Sequence, residues 1–177
     1  MGLGNPGRKY RWTRHNVGWI AAERLLESSE LIADGKWPDG QLALAGSGNR
    51  RFLMLKPETY MNNSGRAVVQ VMERYRVAPE QVAVLHDDID IQLGDVRVKR
   101  GGGSGGHQGL ASMIEATGER CFTRVRIGIG RPPEGVDPAE YVLAQFTESE
   151  REKVRDAVAR AAEVALGLIA GEDSEKR

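Results

Sequence analysis

Two short stretches bring together residue types that can move a proton. TRHN, residues 13–16, sets His15 among basic and amide side chains at what reads as a helix start, and HDDID, residues 86–90, closes an apolar run with three carboxylates. A histidine near the positive end of a helix dipole, with Arg11 and Arg14 beside it, favours the neutral imidazole that can accept a proton. A carboxylate taking a hydrogen bond from one ring nitrogen leaves the other as the base, and Asp87, first off the apolar run, is better placed for this than Asp88 or Asp90. Each residue also has a plainer reading: a solvated or capping histidine, a solvated acidic turn. His86, inside the apolar run, reads as structural. With three histidines, one cysteine and no H-E-x-x-H, zinc has little support, and no G-x-S-x-G elbow presents a serine. An Asp/His pair of this kind points to hydrolysis by water.

Three further segments could hold a ligand. GGGSGGHQGL, residues 101–110, puts bare backbone ahead of a predicted helix, a pattern that suits phosphate. GLGNPG, residues 2–7, fits G-x-G-x-x-G with Glu23 about 20 residues on. Against a dinucleotide, Pro6 offers no N–H and the helix starts well after Gly7, so a turn presenting Asn5 is the better reading. MNNSG, residues 61–65, offers amides that donate and accept at once and so suit ester or peptide groups, although capping is the simpler role for Asn63 and Ser64.

The elements that must position these residues follow from hydrophobic periodicity. It predicts helices over about 14–28, 64–76, 108–118 and 148–171, the first with Thr13 or Asn16 as N-cap and the last opened by a Thr147/Glu150 capping box. Strands are predicted at QLALAG and RFLMLK, joined by SGNR, and at QVAVLH, GDVRVKR and TRVRIGIG, the last two alternating basic with apolar residues. The tail EDSEKR reads as frayed. Interleaved strands and helices predict one α/β domain over residues 1–177, a mixed, mostly parallel twisted sheet flanked by helices.

At 177 residues, 40% hydrophobic and 28% charged, the chain has the composition of an ordinary globular protein. No apolar run nears the roughly 20 residues of a membrane span, and MGLGNPGRKY has no apolar core of a secretory signal, so a cytoplasmic protein without membrane partners is expected. Cys121, the one cysteine, forbids an intrachain disulfide and reads as a small packed residue. The formal charge is zero overall, yet residues 1–131 carry +5 and residues 132–177 carry −5. A basic body with an acidic terminal helix admits an anionic partner.

GLGNPG, YRWTRHNVGW, KPETYMNNSG, LHDDIDIQLGDVRVKRGGGSGGHQGL and RVRIGIGRP together resemble, in this order, the bacterial peptidyl-tRNA hydrolases. The resemblance spans residues 2 to about 132. It implies a monomeric, cofactor- and metal-independent α/β enzyme that cleaves the ester between a peptide and the 3′ end of tRNA, recycling tRNA from aborted translation without an obligate protein partner. It implies His15 as general base, Asp87 as its orienting carboxylate, and Asn5 and Asn62 as amides that hold the substrate. Tyr10 and Tyr60 then match aromatic tRNA contacts, Lys99 and Arg126 a basic pair gripping phosphate near the acceptor stem, and the glycine loop with Gln108 a backbone surface closing on the CCA end. The chain departs from the family pattern at Gln108, where asparagine is usual, and in lacking the several apolar residues that usually precede GLGNPG and form a central strand. A non-catalytic RNA-binding relative is the alternative that the same basic strands would serve.

Overall fold

The computed structural model describes residues 1–171; the expected fraying of EDSEKR falls outside the described residues. In chain order the elements are α1 (Val17–Glu27), β1 (Glu30–Trp37), β2 (Gly40–Ser47), β3 (Arg50–Pro57), α2 (Ser64–Tyr75), β4 (Ala83–Asp88), β5 (Val96–Arg100), α3 (Gln108–Thr117), β6 (Thr123–Gly128), α4 (Pro138–Leu143) and α5 (Arg151–Ala170). β1, β2 and β3 form an antiparallel meander. A second sheet has the order β4-β6-β5, with β4 parallel and β5 antiparallel to β6.

Residues 1–3 tie the two sheets together. The Gly2 N–H donates to Leu55 O of β3, the Leu3 N–H to Leu85 O of β4, and the Leu85 N–H to Met1 O. This segment runs parallel to β4 through a single bridge, Gly2 to Leu85, and beside it an apolar cavity of about 1020 Å³ is lined by Met1, Leu53, Leu55, Val82 and Leu85 among others. The mixed β-structure agrees with the sequence reading, but its emphasis on parallel pairing needs correction. Among the described residues parallel pairing is confined to β4/β6 and the N-terminal bridge: β5 runs antiparallel to β6, and the first three strands are joined by short turns that only antiparallel neighbours allow.

Alternation along the central strands feeds two cores. Leu85, Val125 and Ile127 face α1 and α5 with Val17, Ala21, Leu25, Ala157 and Ala161. Val84 and Phe122 pack on the other side with Leu3, Val68, Leu110 and Met113 from the α2 and α3 layer. Burying each large apolar side chain contributes about 1.5–3 kcal/mol, and β4 and β6, covered on both faces, are buried along most of their length. α1 lies so close to β4 that a Cβ at Gly18 would come within 2.3 Å of Leu85 O, so this helix start is pressed against the strand that carries Asp87.

Some local expectations change. The predicted start of the first helix is a separate 3-10 turn at Arg14–Asn16, and neither Thr13 nor Asn16 caps with its side chain. The Thr13 hydroxyl donates to Tyr10 O, while Asn16 reaches Asn5. Asn63 makes no side-chain cap, and the Ser64 hydroxyl donates back to Met61 O. Cys121 is half-buried, with Sγ 3.5 Å from Glu80 Oε1, rather than packed in a core. The Thr147/Glu150 capping box is present as expected and precedes α5.

Candidate active site

The C-terminal end of β4 and the N-terminal ends of α1 and α3 meet at one carboxylate. Asp87, 3% exposed, accepts from His15 Nδ1 at 2.9 and 3.0 Å through its two oxygens and from His107 Nε2 at 3.0 Å. The protonation pattern follows from what the other atoms do. His107 caps α3, its Nδ1 accepting the Gly109 N–H at 3.1 Å and the Leu110 N–H at 3.3 Å, so its proton sits on Nε2 and points at Asp87. His15 likewise donates from Nδ1, which leaves Nε2 as its proton acceptor. Burial alone would push Asp87 up; the charge interactions and hydrogen bonds of His107 and His15 outweigh it and hold the carboxyl well below the usual range.

His86 beside it is neutral and structural, as its sequence context suggested. Its Nδ1–H donates to Asp87 O at 2.7 Å, and burial, with His107 nearby, pushes it down to about 3.

His15, Asp87 and His107 also form the one group, among the described residues, whose potential ligand atoms cluster tightly enough for a metal ion, within 4.8 Å. The donor chemistry does not fit one. Both His107 nitrogens are committed, one accepting from the helix and the other protonated toward Asp87, so this imidazole has no lone pair to offer.

Asn5 is held from two sides. Its backbone N–H and C=O pair with the Asn16 side-chain amide at 2.9 Å each, and its Oδ1 accepts the Met61 N–H at 2.8 Å. With the oxygen so used, the Asn5 amide group presents its N–H donors to the cleft. GLGNPG is therefore a packed turn and not a phosphate loop: a Cβ at Gly4 would sit 2.5 Å from the Trp19 ring.

Asn5, Tyr10, His15, Tyr60, Asn62, Asp87, Lys99, Gln108 and Arg126 all line one cleft of about 970 Å³. Arg126 is less free than the sequence suggested, because its Nε donates to Asp88 Oδ2 at 2.8 Å. Arg14 does not bear on His15 as expected. Its guanidinium pairs with both Glu150 oxygens, donates to Gln145 O and stacks over Tyr141, fastening this turn to the start of α5.

Two residues with evident roles were missed by sequence reasoning. His107 was hidden by its glycines, although a histidine immediately before a helical pattern is a legible capping candidate. Arg124, read only as part of a basic strand face, is 4% exposed and donates from both Nη atoms to the carbonyls of Gly102 and Gly103. It thereby anchors the glycine loop, whose Gly105 and Gly106 have φ of 59° and 83° and no atom within 4 Å of a would-be Cβ. This backbone faces open cleft.

The family profile described as peptidyl-tRNA hydrolase matches residues 1–177. The chain belongs to the peptidyl-tRNA hydrolase family. It is 43% identical over 171 residues to the peptidyl-tRNA hydrolase of Moorella thermoacetica, covering 97% of this chain and 90% of that one. With the Mycobacterium tuberculosis enzyme it shares 44% over 170 residues, 96% of this chain and 89% of the relative. The crystal structure of peptidyl-tRNA hydrolase from Acinetobacter baumannii superimposes with a TM-score of 0.89 at 34% identity, covering 96% of this chain and 87% of the other. The peptidyl-tRNA hydrolase fold thus accounts for the mixed sheets and flanking helices. Among the described residues no helix is long and apolar enough to cross a membrane.

Proposed function

We propose that this chain hydrolyses the ester between a peptide and the 3′ end of tRNA, with water activated by His15. The observation that carries the reading is the buried Asp87 carboxylate, which accepts the hydrogen bond of the His15 Nδ1–H and so leaves Nε2 as the base at the cleft. Water bound at Nε2 attacks the ester carbonyl carbon as its proton passes to His15. The charge that develops on His15 is balanced by Asp87, and that on the carbonyl oxygen by donors such as the Asn5 amide. Collapse of the tetrahedral intermediate breaks the bond to the ribose oxygen, which leaves with the proton from His15. Asn5 and Asn62 hold the peptide end. Tyr10, Tyr60, Gln108 and the glycine loop receive the CCA end, and Lys99 with Arg126 meets phosphate near the acceptor stem.

The proposal further takes the chain as a monomer acting without an obligate protein partner, as one domain spanning residues 1–177, in the cytoplasm where translation supplies the substrate. A purely RNA-binding role would use the basic strands but has no need of the Asp87 to His15 bond. Single-turnover release of tRNA from N-acetyl-aminoacyl-tRNA, compared with unblocked aminoacyl-tRNA, tests the proposal. Rapid release from the blocked substrate, lowered at least about 100-fold by His15→Ala with tRNA binding kept, is expected. Equal loss of binding and turnover in the variant would overturn the role of His15.

A further inference from the structure

Resting on the role given to His15 above, we propose that His107 is a positioning residue: by sharing the Asp87 carboxylate with His15, it keeps His15 available as a base. A carboxylate held against one imidazole favours the protonated ring, and a protonated ring accepts no further proton. The bond that orients His15 therefore also works against its use. At this site the carboxylate is divided between two donors. Asp87 Oδ1 accepts from His15 Nδ1 at 2.9 Å and from His107 Nε2 at 3.0 Å, and the two rings lie 4.8 Å apart between centroids. Because Asp87 is buried, these imidazoles rather than bulk water set the charge left on its oxygens.

The second donor is fixed by the fold. His107 Nδ1 accepts the Gly109 and Leu110 N–H groups at the start of α3, which keeps the proton on Nε2. Helix N–H, imidazole and carboxylate thus form a chain of hydrogen bonds that all run one way, so each bond polarises the next. Charge drawn toward His107 weakens the hold of Asp87 on an imidazolium at His15 while the His15 Nδ1 bond stays in place. Burial raises the Asp87 carboxyl, and His107 comes ahead of His15 among the groups that lower it. Other ionisable groups around the pair are engaged elsewhere. From β4, His86 donates to Asp87 O; from β6, Arg126 is paired with Asp88, and Arg124 holds the glycine loop. Arg14, next to His15, is paired with Glu150. Among the described residues, Tyr10, Tyr60, Lys99 and Asp137 line the cleft without a hydrogen bond to Asp87 or His15.

Two substitutions separate the shared bond from the helix cap. His107→Asn keeps an acceptor where Nδ1 caps α3 but has no atom to reach Asp87, whereas His107→Gln restores an N–H toward Asp87 and gives up the cap. Without the second donor the carboxylate holds the imidazolium more tightly. In kcat/KM against pH for an N-acetyl-aminoacyl-tRNA, His107→Asn therefore moves the acid limb up by about one pH unit. His107→Ser, which also caps without reaching Asp87, moves it the same way. His107→Gln keeps the wild-type limb although it unfolds at lower urea concentration. A histidine that only capped the helix would give the reverse order. The shift is also read without turnover, from the His15 ring-carbon resonance titrated by NMR in wild type and in each variant. A limb and a His15 midpoint that stay in place or move down in both His107→Asn and His107→Ser would overturn the proposal. Failure of wild type to release tRNA from the blocked substrate, with the His15 midpoint still moving up in those variants, would instead overturn the hydrolase reading.

Discussion

Three imidazoles meet at Asp87, two on its carboxylate and one on its backbone carbonyl, and their different surroundings assign them different work. His107 spends both nitrogens on fixed partners, His15 has only Nδ1 committed, which leaves Nε2 for the chemistry proposed above, and His86 is buried with its Nε2 unpartnered. Because burial holds His86 at about 3, below the roughly 6.5 of an unfolded histidine, its neutral form favours the native state. In that window the unfolded chain binds more protons, so stability is full above about pH 6.5 and falls as pH drops toward 3. His86→Asn, which keeps a donor for Asp87 O but does not titrate, should therefore flatten the fall between pH 6.5 and 4 by about 1 kcal/mol per pH unit. Urea unfolding of both proteins across that range reads the difference. The Met1 ammonium, lowered to about 5 by burial, contributes equally to both, and Asp87 protonates lower still. Parallel curves would mean that His86 is not held neutral.

At the scale of elements, the glycine loop can present bare backbone only if something else supplies its rigidity, and the Arg124 guanidinium does so from β6. Arg124→Met keeps much of the side-chain bulk while deleting both bonds to the loop carbonyls. It should speed amide hydrogen exchange over residues 102–107, leave β6 protected, and lower kcat/KM about 10-fold, since a displacement of about 1 Å near reacting atoms can cost up to 100-fold. Unchanged exchange in the loop would show that the anchor is redundant. Elements with clear periodicity were legible: α2, α3, α5 and the five strands from β2 to β6 lie where the pattern put them. β1 was not, because ELIADGKW is an edge strand exposed along almost its whole length and has no apolar face to alternate. α4 is six residues, too short to show a helical repeat. The site residues were legible as types, but the partners that restrain Arg14, Arg126 and Asn5 lie 136, 38 and 56 positions away, at separations that no local pattern records.

Across the whole molecule, a net charge of zero hides a polarised sheet. Register places Lys99 opposite Arg124 and Arg97 opposite Arg126, so four cations share one face of β5 and β6, an arrangement that by itself disfavours pairing of those strands. The other face, through Val125 and Ile127, packs on the layer of α1 and α5. α5 thus lies across the sheet from the basic face, and Asp137, which lines the cleft itself, offsets only part of the field there, which is how a neutral chain can attract a polyanion. Asp88 is the local brake, since it holds Arg126 at 2.8 Å. Lys99→Gln combined with Arg126→Gln should raise KM for the tRNA substrate, flatten its salt dependence by about 1.5 in log–log slope and leave kcat nearly unchanged. Asp88→Asn, by releasing Arg126, should do the reverse, lowering KM at low salt and steepening the slope. The opposite signs separate a true phosphate grip from general charge, because removing one acid or two bases would otherwise only scale a non-specific attraction. If the double variant kept the wild-type slope, tRNA would have to reach the cleft along another surface.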